Sequence, residues 1–127
     1  MKISVIGAGS WGTTLSLLLH SNNHDVTLWS YRSEDIENIL LKRENSVFLP
    51  GIKIPETLAV TNDLEKALHR TEMVVTAVPS QHLRSILKQF SNLNLKNIVI
   101  VNVAKGIENE SLLTMSEVIA QVLPNHA

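Results

Sequence analysis

The glycine-rich stretch near the N-terminus constrains this chain more than any other feature. Residues 7–12 read GAGSWG and follow Lys2–Ile6, a short β-branched run with the length of a buried strand. Apolar residues then recur at helical spacing as far as residue 22. A strand, a Gly-x-Gly-x-x-Gly turn and a helix in this order form the dinucleotide-binding fingerprint. The residues also allow a second interpretation, a tight strand-to-helix turn that binds no ligand.

Each glycine of the turn has a predicted physical role. Gly7 allows the tight turn, Gly9 lets the backbone approach a pyrophosphate, and Gly12 lets the helix pack closely on the strand. The first turn of the helix presents unpaired N–H groups and the positive end of the helix dipole, and both favour phosphate. The sequence therefore predicts a nucleotide site at the start of this helix.

The composition is typical of a soluble globular domain and excludes several classes of function. A chain of 127 residues can bury a sizeable core but is short for a complete two-domain enzyme. The net charge of −1 gives no indication of binding to nucleic acid or to an anionic membrane. The absence of cysteine excludes disulfides and thiolate metal sites and fits a cytoplasmic location. No metal site is predicted, no apolar run approaches the ~20 residues of a membrane span, and the N-terminal apolar run is too short for a signal peptide.

The alternation of elements predicts an α/β fold with a doubly wound, mostly parallel sheet and right-handed crossovers. Further strands are predicted at residues 25–29, 58–61, 73–78 and 97–103, and helices at 34–42, 64–70, 83–90 and 111–123. The stretch 43–56 is expected to be mostly irregular, because Pro50-Gly51 and Pro55 mark turns. Loops of this length are often functional. Phe48 within it is interpreted either as a core anchor or as a cofactor contact.

The end of the second strand is predicted to distinguish two cofactors. A carboxylate about 20 residues beyond the glycines would bind the ribose 2′-hydroxyl of NAD and repel a 2′-phosphate. This chain instead has Tyr31 and Arg32 there. The Arg32 guanidinium suits a phosphate group, and the side chain of either residue could stack on adenine. Glu34 and Asp35 follow Ser33, the predicted N-cap, and are expected to complement the helix start. NADP(H) is therefore favoured over NAD(H), with a solvated arginine as the alternative.

Lys105 is the charged residue that stands out in the second half of the chain. It follows the strand at 97–103, taken as central, so its ammonium could reach the crevice and neutralise a carbonyl, an alkoxide or a phosphate. The alternative is an ordinary surface lysine. Pro79 follows the strand at 73–78 and fits a turn at the same edge, where doubly wound folds bind ligands. His82 is interpreted as a solvated side chain.

Five short motifs follow one another along the chain. They are GAGSWGT at 7–13, VTLW at 26–29, NSVFLPG at 45–51, AVPS at 77–80 and KGIE at 105–108. Together they resemble the bacterial type of NAD(P)-dependent glycerol-3-phosphate dehydrogenase, in the order found in that family. The resemblance implies that residues 1–127 form the N-terminal NAD(P)-binding Rossmann domain. It also implies reversible hydride transfer between dihydroxyacetone phosphate and glycerol 3-phosphate, which feeds phospholipid synthesis.

The resemblance also implies roles for single residues. Ser10 and Trp11 correspond to cofactor contacts in the glycine loop, Tyr31 and Arg32 to residues at the adenosine end of NADPH. Lys105 corresponds to a lysine that contacts both cofactor and substrate. The family's proton donor and most of its phosphate site belong to an all-helical C-terminal domain that this sequence lacks. No catalytic residue is therefore assigned, and this polypeptide is expected to have little or no dehydrogenase activity.

Two other interpretations remain open at this point. One is a naturally short, non-catalytic nucleotide-binding module. The other is a dehydrogenase with a similar N-terminal half, of the 6-phosphogluconate or ketopantoate type, against which the AVPS and KGIE motifs argue. The family's sheet has further strands beyond residue 127, so an exposed apolar edge and self-association are expected.

Overall fold

A computed structural model describes residues 1–90, 93, 95 and 97–123, so the last four residues of the predicted domain lie outside the described part. The strands are β1 (Lys2–Ile6), β2 (Asp25–Trp29), β3 (Glu44–Asn45), β4 (Leu49–Lys53), β5 (Ala59–Thr61), β6 (Met73–Thr76) and β7 (Val99–Asn102). The helices are α1 (Ser10–Ser21), α2 (Ser33–Lys42), α3 (Leu64–Leu68), α4 (Leu83–Phe90) and α5 (Met115–Val122), with a 3₁₀ turn at Ser80–His82 before α4.

Five of the strands form one parallel sheet in the order β5-β2-β1-β6-β7. β1 lies at its centre, where Ile3 pairs with Val26 of β2 on one side and Met73 of β6 on the other. The chain first builds outward from β1 through β2 to β5, then returns to β6 and β7. This is the strand order of a doubly wound fold, and its direction reverses between β1 and β6. The predicted fold class is confirmed.

The core lies in two layers because the central strands are buried on both faces. Ile6 and Val74 pack with α4 and α5 on one face. Val5 and Val26 pack with α2 and the segment before β5 on the other. A strand covered on both faces needs apolar residues at successive positions, which explains the near-continuous apolar runs of β1 and β6.

Residues 43–56 differ from the expectation of an irregular loop. β3 and β4 form an antiparallel hairpin in which Glu44 pairs with Lys53. Arg43 anchors its base, since its Nη2 donates to the carbonyls of Pro55 at 2.7 Å and Leu58 at 3.0 Å. Pro50 lies within β4 and Pro55 follows that strand, and neither prevents the hairpin, because proline is tolerated in edge strands.

Two helix starts also differ from the sequence prediction. Ser33 is the first residue of α2 and not its N-cap; Arg32 precedes it without a side-chain cap. Helix α5 begins at Met115, where Thr114 and Glu117 form a reciprocal capping box. Leu112, which the predicted helix at 111–123 included, therefore lies before α5 and is 72% exposed.

Strand β7 was expected to be central but is an edge strand within the described residues. Ile98 and Ile100 pack against the core, whereas Val99 and Val101 are 55% and 37% exposed on the other face. The strand is thus covered on one face only. Lys105 consequently follows an edge strand of the described sheet.

Candidate functional site

A cleft of about 660 Å³ opens at the carboxyl edge of the sheet, between the segments that follow β1, β2, β6 and β7. Its position coincides with the reversal of strand order between β1 and β6, where open α/β sheets bind ligands. The cleft is lined by Gly7, Ala8, Gly9, Ser10, Trp11, Ser30, Tyr31, Arg32, Asp35, Phe48, Ala77, Val78, Pro79, Ala104 and Lys105. Seven of the eight residues predicted from the sequence therefore line one cleft, and Gly12 does not.

Gly7 and Gly12 are required by close packing of the turn. Gly7 has φ +121°, and a Cβ there would lie 2.7 Å from the carbonyl oxygen of Ala77. A Cβ on Gly12 would lie 1.9 Å from the carbonyl oxygen of Gly7. The start of α1 therefore packs closely against the glycine-rich turn, and that turn packs closely against the segment after β6. Gly12 acts in packing and lies behind the cleft wall.

Gly9 is in a different environment, at the N-cap of α1. A Cβ there would meet no atom within 4 Å, so this part of the backbone faces open space. No side chain caps the helix, and its first turn contains no acidic residue. Helix geometry leaves the first N–H groups without intrahelical acceptors. The start of α1 thus fits a pyrophosphate group, with Ser10 and the half-exposed Trp11 beside it.

The first turn of α2, which follows β2, brings the Asp35 carboxylate to the cleft, whereas the sequence prediction had assigned it to the helix start alone. Ser30, 3% exposed, donates through Oγ to Asp35 at 3.3 Å and accepts from the backbone N–H of Arg32 at 3.2 Å. The Arg32 guanidinium lies 3.3 Å from Glu34 and 4.0 Å from Asp35. The Arg32 side chain is 48% exposed and that of Asp35 only 10%. Asp35 lies in the first turn of α2, as predicted, but its place in the cleft wall was not expected from the sequence.

Tyr31 links this end of the cleft to the start of α4. Its ring centroid lies 5.9 Å from that of His82, with the planes inclined by 35°. Both side chains are exposed, and Tyr31 lines the cleft. His82, interpreted from the sequence as a solvated side chain, therefore also contacts an aromatic residue predicted to bind the cofactor.

Asn45 is a structural residue of the site that the sequence prediction missed. It is 2% exposed, and its Nδ2 donates to the Ala8 carbonyl at 2.7 Å and to Thr13 Oγ1 at 2.9 Å. Its Oδ1 accepts the backbone N–H of Phe48 at 3.3 Å. One amide thus joins the glycine turn, α1 and the hairpin whose Phe48 lines the cleft. The sequence did contain an indication of this role, since Asn45 is the polar residue that begins the NSVFLPG motif.

Lys105 enters the cleft from the loop after β7, beside Ala104 and Pro79. Its side chain is exposed. An ion pair lies further along the same loop, where Arg84 Nε donates to both oxygens of Glu108 at 3.1 and 2.9 Å. This hydrogen bond holds the pKa of the Glu108 carboxyl below its usual range and raises the pKa of Arg84.

The described part of the chain offers neither a metal site nor a membrane-spanning helix. No group of three or more His, Asp or Glu side chains there is arranged to hold a metal ion. Among the helices of residues 1–90 and 97–123, none is long and apolar enough to cross a membrane.

Comparison with known proteins places this chain in a family. Residues 2–127 match the family described as NAD-dependent glycerol-3-phosphate dehydrogenase N-terminus. Curated relatives named glycerol-3-phosphate dehydrogenase (NAD(P)+) include one from Chlorobium phaeobacteroides, 51% identical over 98% of this chain, and one from Fusobacterium nucleatum, 42% identical over 97%. The chain spans 37% of the length of each.

A solved structure agrees with the sequence matches. Glycerol-3-phosphate dehydrogenase from Coxiella burnetii superposes with a TM-score of 0.90 and 32% identity, over 96% of this chain and 37% of its own. The family match, the relatives and the fold agree with the five motifs named above. The chain belongs to the family of NAD-dependent glycerol-3-phosphate dehydrogenases, and it corresponds to their N-terminal part.

Proposed function

We propose that residues 1–127 act as the cofactor-binding domain of an enzyme that interconverts dihydroxyacetone phosphate and glycerol 3-phosphate. The observation that carries this proposal is the cleft at the strand-order reversal, where Gly9 opens onto space at an uncapped helix start. Gly7, Gly9, Ser10 and Trp11 would hold the pyrophosphate, and Gly12 would keep the turn in shape. When bound, the nicotinamide dinucleotide would supply the hydride for reduction of dihydroxyacetone phosphate and take it up in the reverse direction.

The remaining predicted residues would act at the two ends of the cofactor. Tyr31 and Arg32 would contact the adenosine end, the first by stacking and the second by charge. Lys105 would contact the cofactor and the phosphorylated substrate, because its flexible stem carries a positive charge from the loop after β7 into the cleft. We assign no proton-transferring group to this chain, and its isolated form is expected to bind cofactor with little turnover.

A preference for NADP(H) over NAD(H) depends on Arg32. Its guanidinium provides a fork of donors suited to a 2′-phosphate. Glu34 and Asp35, both within 4.0 Å of that guanidinium, weaken the preference because they compete for it and repel the phosphate. We therefore propose that NADP(H) is preferred by a small factor and that NAD(H) also binds.

Self-association is proposed for the exposed face of β7. Val99 and Val101 present apolar side chains there, and the strand's outer edge carries backbone groups with no partner strand in the described part. A second copy of the chain would cover both. Sedimentation velocity should show a concentration-dependent dimer that Val101→Lys abolishes, and a strictly monomeric chain would contradict it.

The function is tested by titrating the purified chain with NADPH and NADH and following tryptophan fluorescence, since Trp11 lines the cleft while the other tryptophan, Trp29, is buried. Binding of both, with NADPH the tighter, is expected. Arg32→Ala should remove the difference between the two cofactors, and Lys105→Ala should weaken both. His69→Ala, on an exposed residue that does not line the cleft, is the control and should change neither. A chain that binds neither cofactor would overturn the proposal.

A further inference from the structure

The loop that carries Lys105 is anchored immediately before the lysine. Asn102, at the end of β7, accepts a hydrogen bond from the buried Thr76 Oγ1 at 2.9 Å. The same Asn102 oxygen accepts the N–H of Ala104 at 3.1 Å, and its Nδ2 donates to the Ala104 carbonyl at 3.0 Å. The chain is therefore fixed to β6 up to the residue that precedes Lys105.

The next residue after Lys105 is Gly106, whose backbone is conformationally freer than that of other residues. Gly106 has φ +110°, a left-handed conformation that favours glycine. A Cβ there would lie 3.4 Å from Ser80 Oγ, so this turn runs along the 3₁₀ segment before α4. A glycine next to Lys105 allows the lysine to swing unless the chain after it is also held.

The chain after Gly106 is held by Gln81 from the 3₁₀ turn. Its Nε2 donates to the carbonyl of Ile107 at 3.1 Å, and its Oε1 accepts the N–H of Asn109 at 3.0 Å. One side chain thus binds the backbone on both sides of Glu108.

Glu108 completes the attachment through its carboxylate. Arg84 of α4 donates Nε to both carboxylate oxygens, and Ser111 Oγ donates to one of them. The side chains of Arg84 and Glu108 are 25% and 14% exposed, so solvent screens this pair less than an exposed one. The other ion pairs described for this chain, those of Arg32, join residues at most three positions apart. The Arg84–Glu108 pair instead joins two separate segments.

We propose that Gln81 and the Arg84–Glu108 pair are positioning residues that hold Lys105 at the cleft. The inference rests on the proposed role of Lys105 in cofactor and substrate binding. A lysine side chain loses rotamer entropy when it binds a ligand, and a mobile backbone would increase the entropy that binding must remove. Anchors on both sides of Lys105 and Gly106 remove the backbone part of that cost before the ligand arrives.

A purely structural role for the same pair makes a different prediction. If Arg84–Glu108 only joined α4 to the segment before α5, its loss would lower stability and would affect binding equally whether or not Lys105 is present. A positioning role acts through Lys105. Its loss should therefore have no effect on binding once that side chain is removed.

The test compares Glu108→Gln with Glu117→Gln in the 127-residue chain. Both remove one carboxylate that accepts hydrogen bonds, but the Glu117 carboxylate bonds Thr114 in the capping box of α5 and makes none of the described hydrogen bonds to residues 104–109. ¹⁵N relaxation of the cofactor-free chain should show the order parameter of the Gly106 amide falling in Glu108→Gln and staying unchanged in Glu117→Gln. The exchange Arg84→Glu with Glu108→Arg should restore it.

Cofactor titration supplies the second readout. Glu108→Gln should raise the NADPH dissociation constant about tenfold, or ~1.4 kcal/mol, and should change it by less than about twofold when Lys105→Ala is present. An unchanged Gly106 order parameter, or an equal loss of affinity in both backgrounds, would overturn the inference. If the unaltered chain binds no NADPH, the proposed function fails, and the Gly106 measurement alone decides whether Glu108 holds the loop.

Discussion

Replacing Asn45 by alanine tests the link between the hairpin and the glycine-rich turn. The substitution removes three hydrogen bonds, to the Ala8 carbonyl, to Thr13 Oγ1 and from the Phe48 amide. It does so at a position that is only 2% exposed, so water cannot readily replace the lost partners.

The cost follows from those three bonds. Each contributes about 1 kcal/mol net. The Ala8 carbonyl keeps a long bond from Thr13 at 3.4 Å, so not every group is left unpaired. A loss of about 2–4 kcal/mol in the free energy of unfolding is therefore expected. For a chain of this size that corresponds to a fall in Tm of roughly 8–15 °C.

Asn38→Ala is the matched control. Asn38 makes one hydrogen bond, to Ser46 Oγ at 2.8 Å, from a half-buried position on α2. Alanine's higher helix propensity offsets part of that loss, so a change within ~0.5 kcal/mol is expected. Urea unfolding followed by circular dichroism measures both variants. A loss below ~1 kcal/mol for Asn45→Ala, or one no larger than for Asn38→Ala, would refute the assignment of Asn45 as the link.

Four further predictions concern the cleft and the charged groups near it. Gly9→Ala should leave the fold intact, since its Cβ meets no atom within 4 Å, but should block a pyrophosphate and abolish NADPH binding in a fluorescence titration. Gly12→Ala should lower the free energy of unfolding in urea by about 2 kcal/mol or more, because its Cβ would clash with backbone atoms. Equal stability and equal NADPH affinity in the two glycine variants would contradict a binding role for Gly9 and a packing role for Gly12. Asp35→Asn should raise the ratio of NADPH to NADH affinity about three- to tenfold by removing a negative charge beside the guanidinium, and calorimetry showing an unchanged ratio would count against it. The pKa values of Glu108 and Glu117 are lowered in the folded chain, so their contribution to stability is complete above the unfolded carboxyl pKa of about 4.3 and is lost as pH falls through the folded values. The fall in the free energy of unfolding between pH 7 and 3 should therefore be smaller in Glu108→Gln than in the unaltered chain. An equal fall in the two chains would refute a stabilising role for the Glu108 carboxylate.

The main elements of the fold were predictable because strong local signals agreed with the global arrangement. β1 and β2 were predicted at their observed bounds, since apolar runs between polar breaks specify buried parallel strands. The glycine turn was also predictable, because its conformation depends on residues within a few positions of one another.

The errors arose where distant contacts override local preference. The β3–β4 hairpin depends on Arg43 and Asn45, whose partners lie far along the chain, while Pro50-Gly51 and Pro55 suggested an irregular loop. Strand order within the sheet has no periodic signal, so the edge position of β7 could not be inferred from its apolar residues.

Another error had a local signal that was overlooked. Thr114 and Glu117 form the Thr-x-x-Glu pattern of a capping box, which starts α5 at Met115 and leaves Leu112 outside it. The spacing of Leu112 and Met115 fits a helix, and hydrophobic periodicity alone extended that helix too far. Capping chemistry defines a helix start more sharply than periodicity does.

Because the cleft is built from the ends of several strands, cofactor binding should affect how long the chain survives proteolysis. The cleft walls come from the ends of β1, β2, β6 and β7, so the cleft exists only when all four strands are paired. A cofactor that binds there binds the folded chain and not the unfolded one. Free cofactor at a hundred times its dissociation constant would then add ~2.7 kcal/mol to stability. Resistance of this chain to proteolysis should accordingly rise and fall with the concentration of its cofactor.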